Sequence, residues 1–209
     1  MTILERIKEV KEKSKKRNFN QRYDLIINLK YLDLKKTENK IDEIFVLPKG
    51  TGKETAIIFF SDTTKKMEDC KIIKSSEIEK LGKNKKTAKK IIDQTDFFLA
   101  EPKLMPTVGK YLGKFLAPVG KMPKPVVGDV EKMIKNSKDA VRIVVNKQPI
   151  IHTIVGSEKM SDNDVEENIR TLLNFLKSKL PRGKNNIKNV YLKLTMGRPA
   201  QLEVDLYGQ

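Results

Sequence analysis

Apolar residues alternate with polar ones near both ends of this chain and run unbroken in its middle, a contrast that demands two different kinds of sheet. Toward the N-terminus Tyr23, Leu25, Ile27 and Leu29 take every second position, and Ile41 to Leu47 gives another strand. Toward the C-terminus Val141 to Val145 and Ile150 to Val155 follow the same habit. So do Val190, Leu192 and Leu194, and then Leu202, Val204 and Leu206. Period two marks strands with one face buried and one face wet. The middle instead opens with Ala56-Ile57-Ile58-Phe59-Phe60 and repeats shorter runs at Cys70 to Ile73 and Phe97 to Ala100. Unbroken runs of this kind suit strands covered on both faces, as in a parallel sheet.

Helical stretches separate the middle runs, at Ser76 to Leu81, Thr87 to Ile92, Val108 to Leu116 and Val130 to Ile134. Alternation of strand and helix predicts a small layer with a mainly parallel sheet. The expected fold is therefore α/β with two domains. Residues 1–54 and 140–209 form a discontinuous α+β split domain with an antiparallel-rich sheet, and residues 55–139 form an inserted Rossmann-like α/β domain. Pro48 to Lys53 reads as a hinge, with connections near Lys53 to Thr55 and Asp139 to Val141. The outer domain begins with a helix carrying Ile3, Leu4, Ile7 and Val10, followed by a basic run from Lys11 to Arg17. A second helix starts at Ser161-Asp162-Asn163-Asp164, a capping-box type signal. Its stripe of Val165, Ile169, Leu172, Leu173, Leu176 and Leu180 is a packing face, and Pro181-Arg182-Gly183 ends it.

Charge narrows the partner. The chain holds 43 Lys and Arg against 27 Asp and Glu, a formal net charge of +16. The excess is +7 on residues 55–139 and +9 on the remainder, so neither part is neutral. A polyanion is the expected partner, nucleic acid before an acidic membrane. No run reaches the length of a membrane span and the N-terminus lacks the apolar core of a signal peptide, so a soluble intracellular protein is expected. One cysteine, Cys70, and one histidine, His152, give no disulfide and too few ligands for a zinc site of these types.

Several chemical motifs fail on inspection. Gly50-Thr51-Gly52-Lys53 resembles part of a phosphate loop, but Glu54 stands where a magnesium-binding hydroxyl is required. Gly109, Gly113 and Gly120 do not match a dinucleotide fingerprint. Lys110, Lys114, Lys121 and Lys124 in the same stretch present a basic ridge to phosphates, or else belong to a solvated helix and turn. His152 has no nucleophile in a recognisable partner motif, and the carboxylates are scattered. No cofactor and no metal are expected. A nucleotide-dependent enzyme and a nonspecific DNA-binding module are the rival classes.

The two last strands flank Thr195-Met196-Gly197-Arg198-Pro199-Ala200. This loop is an ordinary Gly-Pro turn or a device for close approach to a sugar-phosphate backbone. It combines a hydroxyl, a flexible thioether, a residue without a side chain and a fixed cation.

Six segments, in order along the chain, carry a resemblance. They are Lys16 to Gln21 (KRNFNQ), Val46 to Lys53 (VLPKGTGK), Leu104 to Lys110 (LMPTVGK), Gly120 to Pro125 (GKMPKP), Val155 to Met160 (VGSEKM) and Leu194 to Gly197 (LTMG). Together they resemble the large-subunit ribosomal protein L one family, its archaeal and eukaryotic branch above all. The resemblance implies a non-enzymatic, ribosome-associated cytoplasmic protein, a monomer when free, with no membrane partner. It implies binding to the large-subunit rRNA stalk beside the exit site, contact with exit-site tRNA and help in releasing it. It also implies repression of translation through the protein's own mRNA, in its leader or coding region, at a site that mimics the rRNA.

Carried over by position, the RNA-binding residues implied are Phe19, Gln21, Asp24, Asn189, Thr195, Met196 and Gly197. Arg198 completes the RNA-binding set, and Lys147, near the re-entry into the outer domain, is expected to meet phosphates. In those roles Thr195 bonds a 2'-hydroxyl, Met196 packs on a ribose or base, and Gly197 lets backbones approach. Gln21 offers a donor and an acceptor, Asp24 accepts from a 2'-hydroxyl or base amine, and Phe19 supports the wall. Many relatives place proline directly after Thr-Met-Gly. Here Arg198 intervenes before Pro199, either adding a phosphate contact or pointing to solvent.

Overall fold

The computed structural model describes residues 2–36, 39–53, 55–63, 70–126, 128–146 and 148–203. In chain order its elements are α1 (Ile3–Glu12), β1 (Arg22–Leu29), β2 (Ile41–Val46), β3 (Ile57–Phe60), β4 (Lys71–Ile73), α2 (Ser75–Lys83), α3 (Lys85–Gln94) and β5 (Phe97–Ala100). Then come α4 (Met105–Val119), β6 (Lys124–Pro125), α5 (Val130–Lys138), β7 (Ala140–Val145), β8 (Ile150–Ser157), α6 (Asp162–Lys179), β9 (Ile187–Leu194) and β10 (Ala200–Leu202). The fold is mixed α/β with several sheets, the expected class. Spatial contacts divide it into two compact units, Met1–Lys53 with Asp139–Gln209, and Glu54–Lys138.

The first unit is built on β1, which pairs antiparallel with β8 on one side and β9 on the other in the order β10-β9-β1-β8. Its alternation is realised without exception: Tyr23, Leu25, Ile27 and Leu29 are buried, while Arg22, Asp24, Ile26 and Asn28 lie on the other face. Leu25 sits opposite Leu192 and Ile27 opposite Val190, so apolar rows run across strands. α1 supplies Ile3, Ile7 and Val10 to this core, and α6 supplies Val165, Ile169, Leu172, Leu173 and Leu176. Each such buried aliphatic side chain contributes about 1.5–3 kcal/mol. The helices therefore cover one sheet face and leave the other open. β2 and β7 form a separate antiparallel pair. Val204 and Leu206, expected in the last strand, lie outside the described residues.

Both helices begin at satisfied caps. The Thr2 hydroxyl accepts from the Glu5 amide at 3.3 Å and the Glu5 carboxylate accepts from the Thr2 amide at 2.9 Å. Ser161 accepts from the Asp164 amide at 3.2 Å. Lys11 pairs with Asp162, joining the end of α1 to the start of α6.

Pro48 to Lys53, expected as a hinge, is held to the first unit through its turn. Asn168, fully buried on α6, accepts from the Lys49 amide at 3.0 Å. It also donates to the Gly50 carbonyl at 3.0 Å and to Val155 at 2.9 Å. Gly50 and Gly52 take left-handed φ of 65° and 68°. A side chain at Gly52 would meet Ser157 and Met160 at 2.7 Å. Glycine and a buried amide thus fix this turn.

The second unit carries a parallel sheet in the order β4-β3-β5-β6. All four residues of β3 are buried, as its unbroken apolar run requires. Ile58 and Phe60 pack with Ile78, Ile92, Val108 and Leu112 of α2, α3 and α4, and Ile57 and Phe59 pack with Ile134 of α5. Of the two readings of the lysines near α4, a basic ridge or a solvated helix and turn, the ridge loses one member. Lys121 donates to the carbonyls of Ile92 at 2.8 Å and Thr95 at 2.7 Å, capping the end of α3. Pro125 is tolerated in β6 because that strand lies at the sheet edge.

Asn168→Ala should destabilise the first unit by about 2–4 kcal/mol, because two carbonyls and one amide lose their partner. Urea denaturation followed by circular dichroism reads this, and a change below about 0.5 kcal/mol would show that the network does not stabilise. Tyr23 gives an opposite case. Among the described residues its buried phenol has no hydrogen-bond partner, and burial, then Asp162 and Glu158, push its pKa up. The folded state thus keeps a proton that the unfolded chain loses, so stability falls as pH rises above the ordinary tyrosine value of about 10. Tyr23→Phe should be neutral or stabilising at pH 7 and should flatten that alkaline loss in a Tm-against-pH series.

Candidate nucleic-acid interface

The loop between β9 and β10 is locked to the start of β1. The Thr195 amide donates to the Arg22 carbonyl at 3.0 Å, and the Arg22 amide donates to the Thr195 hydroxyl at 3.1 Å. That hydroxyl also donates back to the Arg22 carbonyl at 3.3 Å. Thr195 therefore spends its proton inside the protein and keeps one lone pair for a donor outside.

Gln21 works from beneath. It is 1% exposed, its carbonyl oxygen accepts from the Met196 amide at 3.4 Å, and its amide donates to the Lys15 carbonyl at 3.4 Å. Both polar ends of Gln21 are consumed in joining the basic run, the start of β1 and the loop. Its place is therefore positioning, whereas the family resemblance implies an RNA-binding donor and acceptor. With the amide of Gly197 bonded to the Leu194 carbonyl at 2.8 Å, the loop backbone is fixed and the Met196 side chain stands out at 62% exposure.

Gly197 permits this closure for an internal reason. A Cβ there would lie 2.5 Å from the Ser14 hydroxyl oxygen and 3.3 Å from the Leu194 Cβ. The glycine thus admits Ser14, in the middle of the basic run, as a neighbour of the loop, and a side chain there would have to displace the Ser14 hydroxyl. Phe19 is half exposed, at 51%, between Asn18 and Asn20. The Asn20 amide holds the segment by donating to the Ser157 hydroxyl at 2.7 Å, and the Glu158 amide donates to the Gln21 carbonyl at 2.9 Å. Arg198 and Pro199 are exposed in the loop. Lys147 lies outside the described residues.

The open sheet face continues from the loop. Asp24 stands opposite Lys193, Ile26 is flanked by Tyr191 and His152, and Asn28 stands opposite Asn189. The Asn189 amide donates to the Tyr191 hydroxyl at 3.4 Å. Burial pushes the Asp24 carboxyl up, while Lys193, Arg22 and His152 pull it back. Desolvation is the largest of these effects, so an ionised Asp24 costs the folded protein free energy.

Phe19, Gln21, Thr195, Met196 and Gly197 are thus brought together, with Asp24 and Asn189 on the adjoining face. Sequence reasoning passed over Arg22, Asn28, Tyr191 and Lys193. The available signal was the same alternation that assigned the buried face, since the intervening positions share the open one.

The second unit offers less chemistry. An open cavity of about 460 Å³ is lined by residues including Ala56, Ile57, Ile58, Ile91 and Thr95. Among the described residues no group of three or more His, Cys, Asp or Glu is placed to hold a metal ion, and no helix is long and apolar enough to cross a membrane.

Comparison with known proteins matches residues 10–198 to the ribosomal protein L1p/L10e family. Among curated proteins, the large ribosomal subunit protein uL1 of Methanothermococcus thermolithotrophicus is 46% identical, over 96% of this chain and 97% of its own length. The uL1 proteins of Methanobrevibacter smithii and Pyrococcus abyssi are 42% and 41% identical. Each match covers 93% of this chain, with 95% and 92% of the relative. These relatives are ribosomal proteins, not enzymes, and similarity extends over both units. This chain belongs to the ribosomal protein L1p/L10e family.

Proposed function

We propose that this chain is a structural constituent of the large ribosomal subunit, cytoplasmic and ribosome-associated, that binds the rRNA of the mobile stalk near the tRNA exit site. The discontinuous unit is the RNA-binding domain, and the insert is a Rossmann-like domain. In this reading Phe19, Asp24, Asn189, Thr195, Met196 and Arg198, with Lys147, contact RNA, while Gln21 and Gly197 shape the loop. One observation carries the assignment. Met196 is an exposed apolar side chain on a backbone locked by Gln21 and Thr195, beside an open face bearing Asp24.

A carboxylate does not favour bare phosphates, so Asp24 implies a 2'-hydroxyl or base amine as its partner and hence shape-reading of folded RNA. The cationic excess supplies long-range attraction and general affinity. The same surface would take a stalk-like structure in the protein's own mRNA, so rRNA and mRNA compete and free protein represses its own translation. Contact with deacylated exit-site tRNA, and help in its release, completes the proposal. The exposed lysines Lys110 and Lys114 on α4 suit such a backbone contact.

The deciding experiment titrates the protein against a large-subunit rRNA stalk fragment and an unrelated hairpin of equal length at two salt concentrations. Stalk-selective binding that survives the higher salt supports the assignment. Equal binding to both RNAs, lost together with salt, would leave only the charge acting. Met196→Glu should preserve Tm and lower stalk affinity by about tenfold or more.

Asp24→Asn should separate stability from binding. Its folded-state ionisation is raised, so the carboxylate's cost sets in as pH rises above the ordinary aspartate value of about 3.9. The variant should match or exceed the parent Tm at pH 7 while binding stalk RNA more weakly. A joint fall of both would make Asp24 a structural residue.

A further inference from the structure

At the far end of β1 from the Thr195 loop, the chain does something costly. Tyr31 takes a left-handed φ of 58°, and it has the one non-glycine positive φ among the described residues. Backbone sterics disfavour this for any side chain, and a bulky one makes it an outlier. Its ring is also 73% exposed, so no core packing compensates for the conformation.

The surroundings hold the segment in place. Asn186, fully buried, donates through its side chain to the Lys30 carbonyl at 2.9 Å and the Tyr31 carbonyl at 3.5 Å. Its own side-chain oxygen accepts from the Arg182 amide at 2.7 Å, and its backbone carbonyl accepts from the Lys30 amide at 2.7 Å. One buried asparagine thus joins the segment after β1 to the Arg182 loop before β9. Two cations sit over the ring: the Lys30 ammonium lies 5.4 Å from its centre and the Arg182 guanidinium 5.9 Å.

An exposed aromatic ring on an anchored backbone, with cations over it on side chains long enough to turn to phosphates, is an arrangement that stacks an unpaired nucleobase and neutralises the adjoining phosphates. We infer that Tyr31, with Lys30 and Arg182, forms a second RNA contact of this protein, a stacking platform for one unstacked base. The inference rests on the RNA-binding reading above and deepens it. Tyr31 lies nine residues beyond Arg22, roughly 30 Å along an extended strand. That is within about one turn of a nucleic-acid duplex. One folded RNA can therefore meet Met196 at one end of β1 and present an unpaired base at the other.

The chain has no tryptophan, so Tyr31→Trp installs a sole indole where stacking is expected. The full chain carrying it is titrated with the stalk fragment, in parallel with Tyr31→Phe, Tyr31→Gly and Met196→Glu in the unaltered background. Stacking predicts strong quenching of the indole at saturation and unchanged affinity for Tyr31→Phe. It also predicts affinity about 5- to 100-fold weaker for Tyr31→Gly. Glycine accepts positive φ, so the Tm of Tyr31→Gly should hold or rise, which separates lost stacking from lost folding. Unquenched emission at saturation, or parental affinity of Tyr31→Gly while Met196→Glu is impaired, would overturn the platform and leave the RNA-binding reading standing. Absence of stalk-selective binding by the parent itself would overturn both.

Discussion

The backbone of β1 is the constraint on which the first unit depends. It pairs with β8 along one edge and β9 along the other, and one side of it is buried at every second residue. A slip of one residue would turn Tyr23, Leu25, Ile27 and Leu29 to water and bring Asp24 and Asn28 into the core. Register is therefore strongly specified, and everything attached to the ends of β1 inherits that precision. At its start Thr195 exchanges hydrogen bonds with Arg22, and past its end Asn186 holds Lys30 and Tyr31. The strand is a ruler that sets the spacing of the loop and of the exposed ring.

Side-chain periodicity made much of this fold legible beforehand. β1 and β9 followed from strict alternation, β3 from an unbroken apolar run, and α6 from its stripe and Ser161 cap. What stayed hidden were contacts between residues far apart in sequence. Nothing near Asn168 announces that it binds the Lys49 amide and the Gly50 carbonyl, and an isolated asparagine on a helix reads as a surface residue. Lys121 likewise reads as one cation of a ridge, although its ammonium closes the end of α3.

The candidate site was legible as a set of residues and not as a division of labour. Thr195, Met196 and Gly197 stand together in sequence, but the burial of Gln21 under the Met196 amide requires the third dimension. The closeness of Ser14 to Gly197 does so too. Tyr31 escaped notice because positive φ in a tyrosine contradicts local preference, and a reading based on preference cannot anticipate its own exception.

The local costs of this molecule are distributed unevenly. The core of the first unit is aliphatic apart from Tyr23, while Asp24 carries a desolvated carboxylate, Met196 an exposed thioether and Tyr31 a disfavoured backbone. Each could be removed by a simple substitution without loss of stability in the isolated protein, and each lies along β1 or beside its ends. Charge alone would give a surface that holds any polyanion and loses it with salt. In the proposed RNA complex, a thioether, a carboxylate and a ring at fixed spacing add contacts that depend on the folded shape of the RNA. In that proposal the free energy forgone in the unbound protein returns as selectivity in the complex, because a wrong partner leaves the carboxylate unpaired and the apolar groups wet.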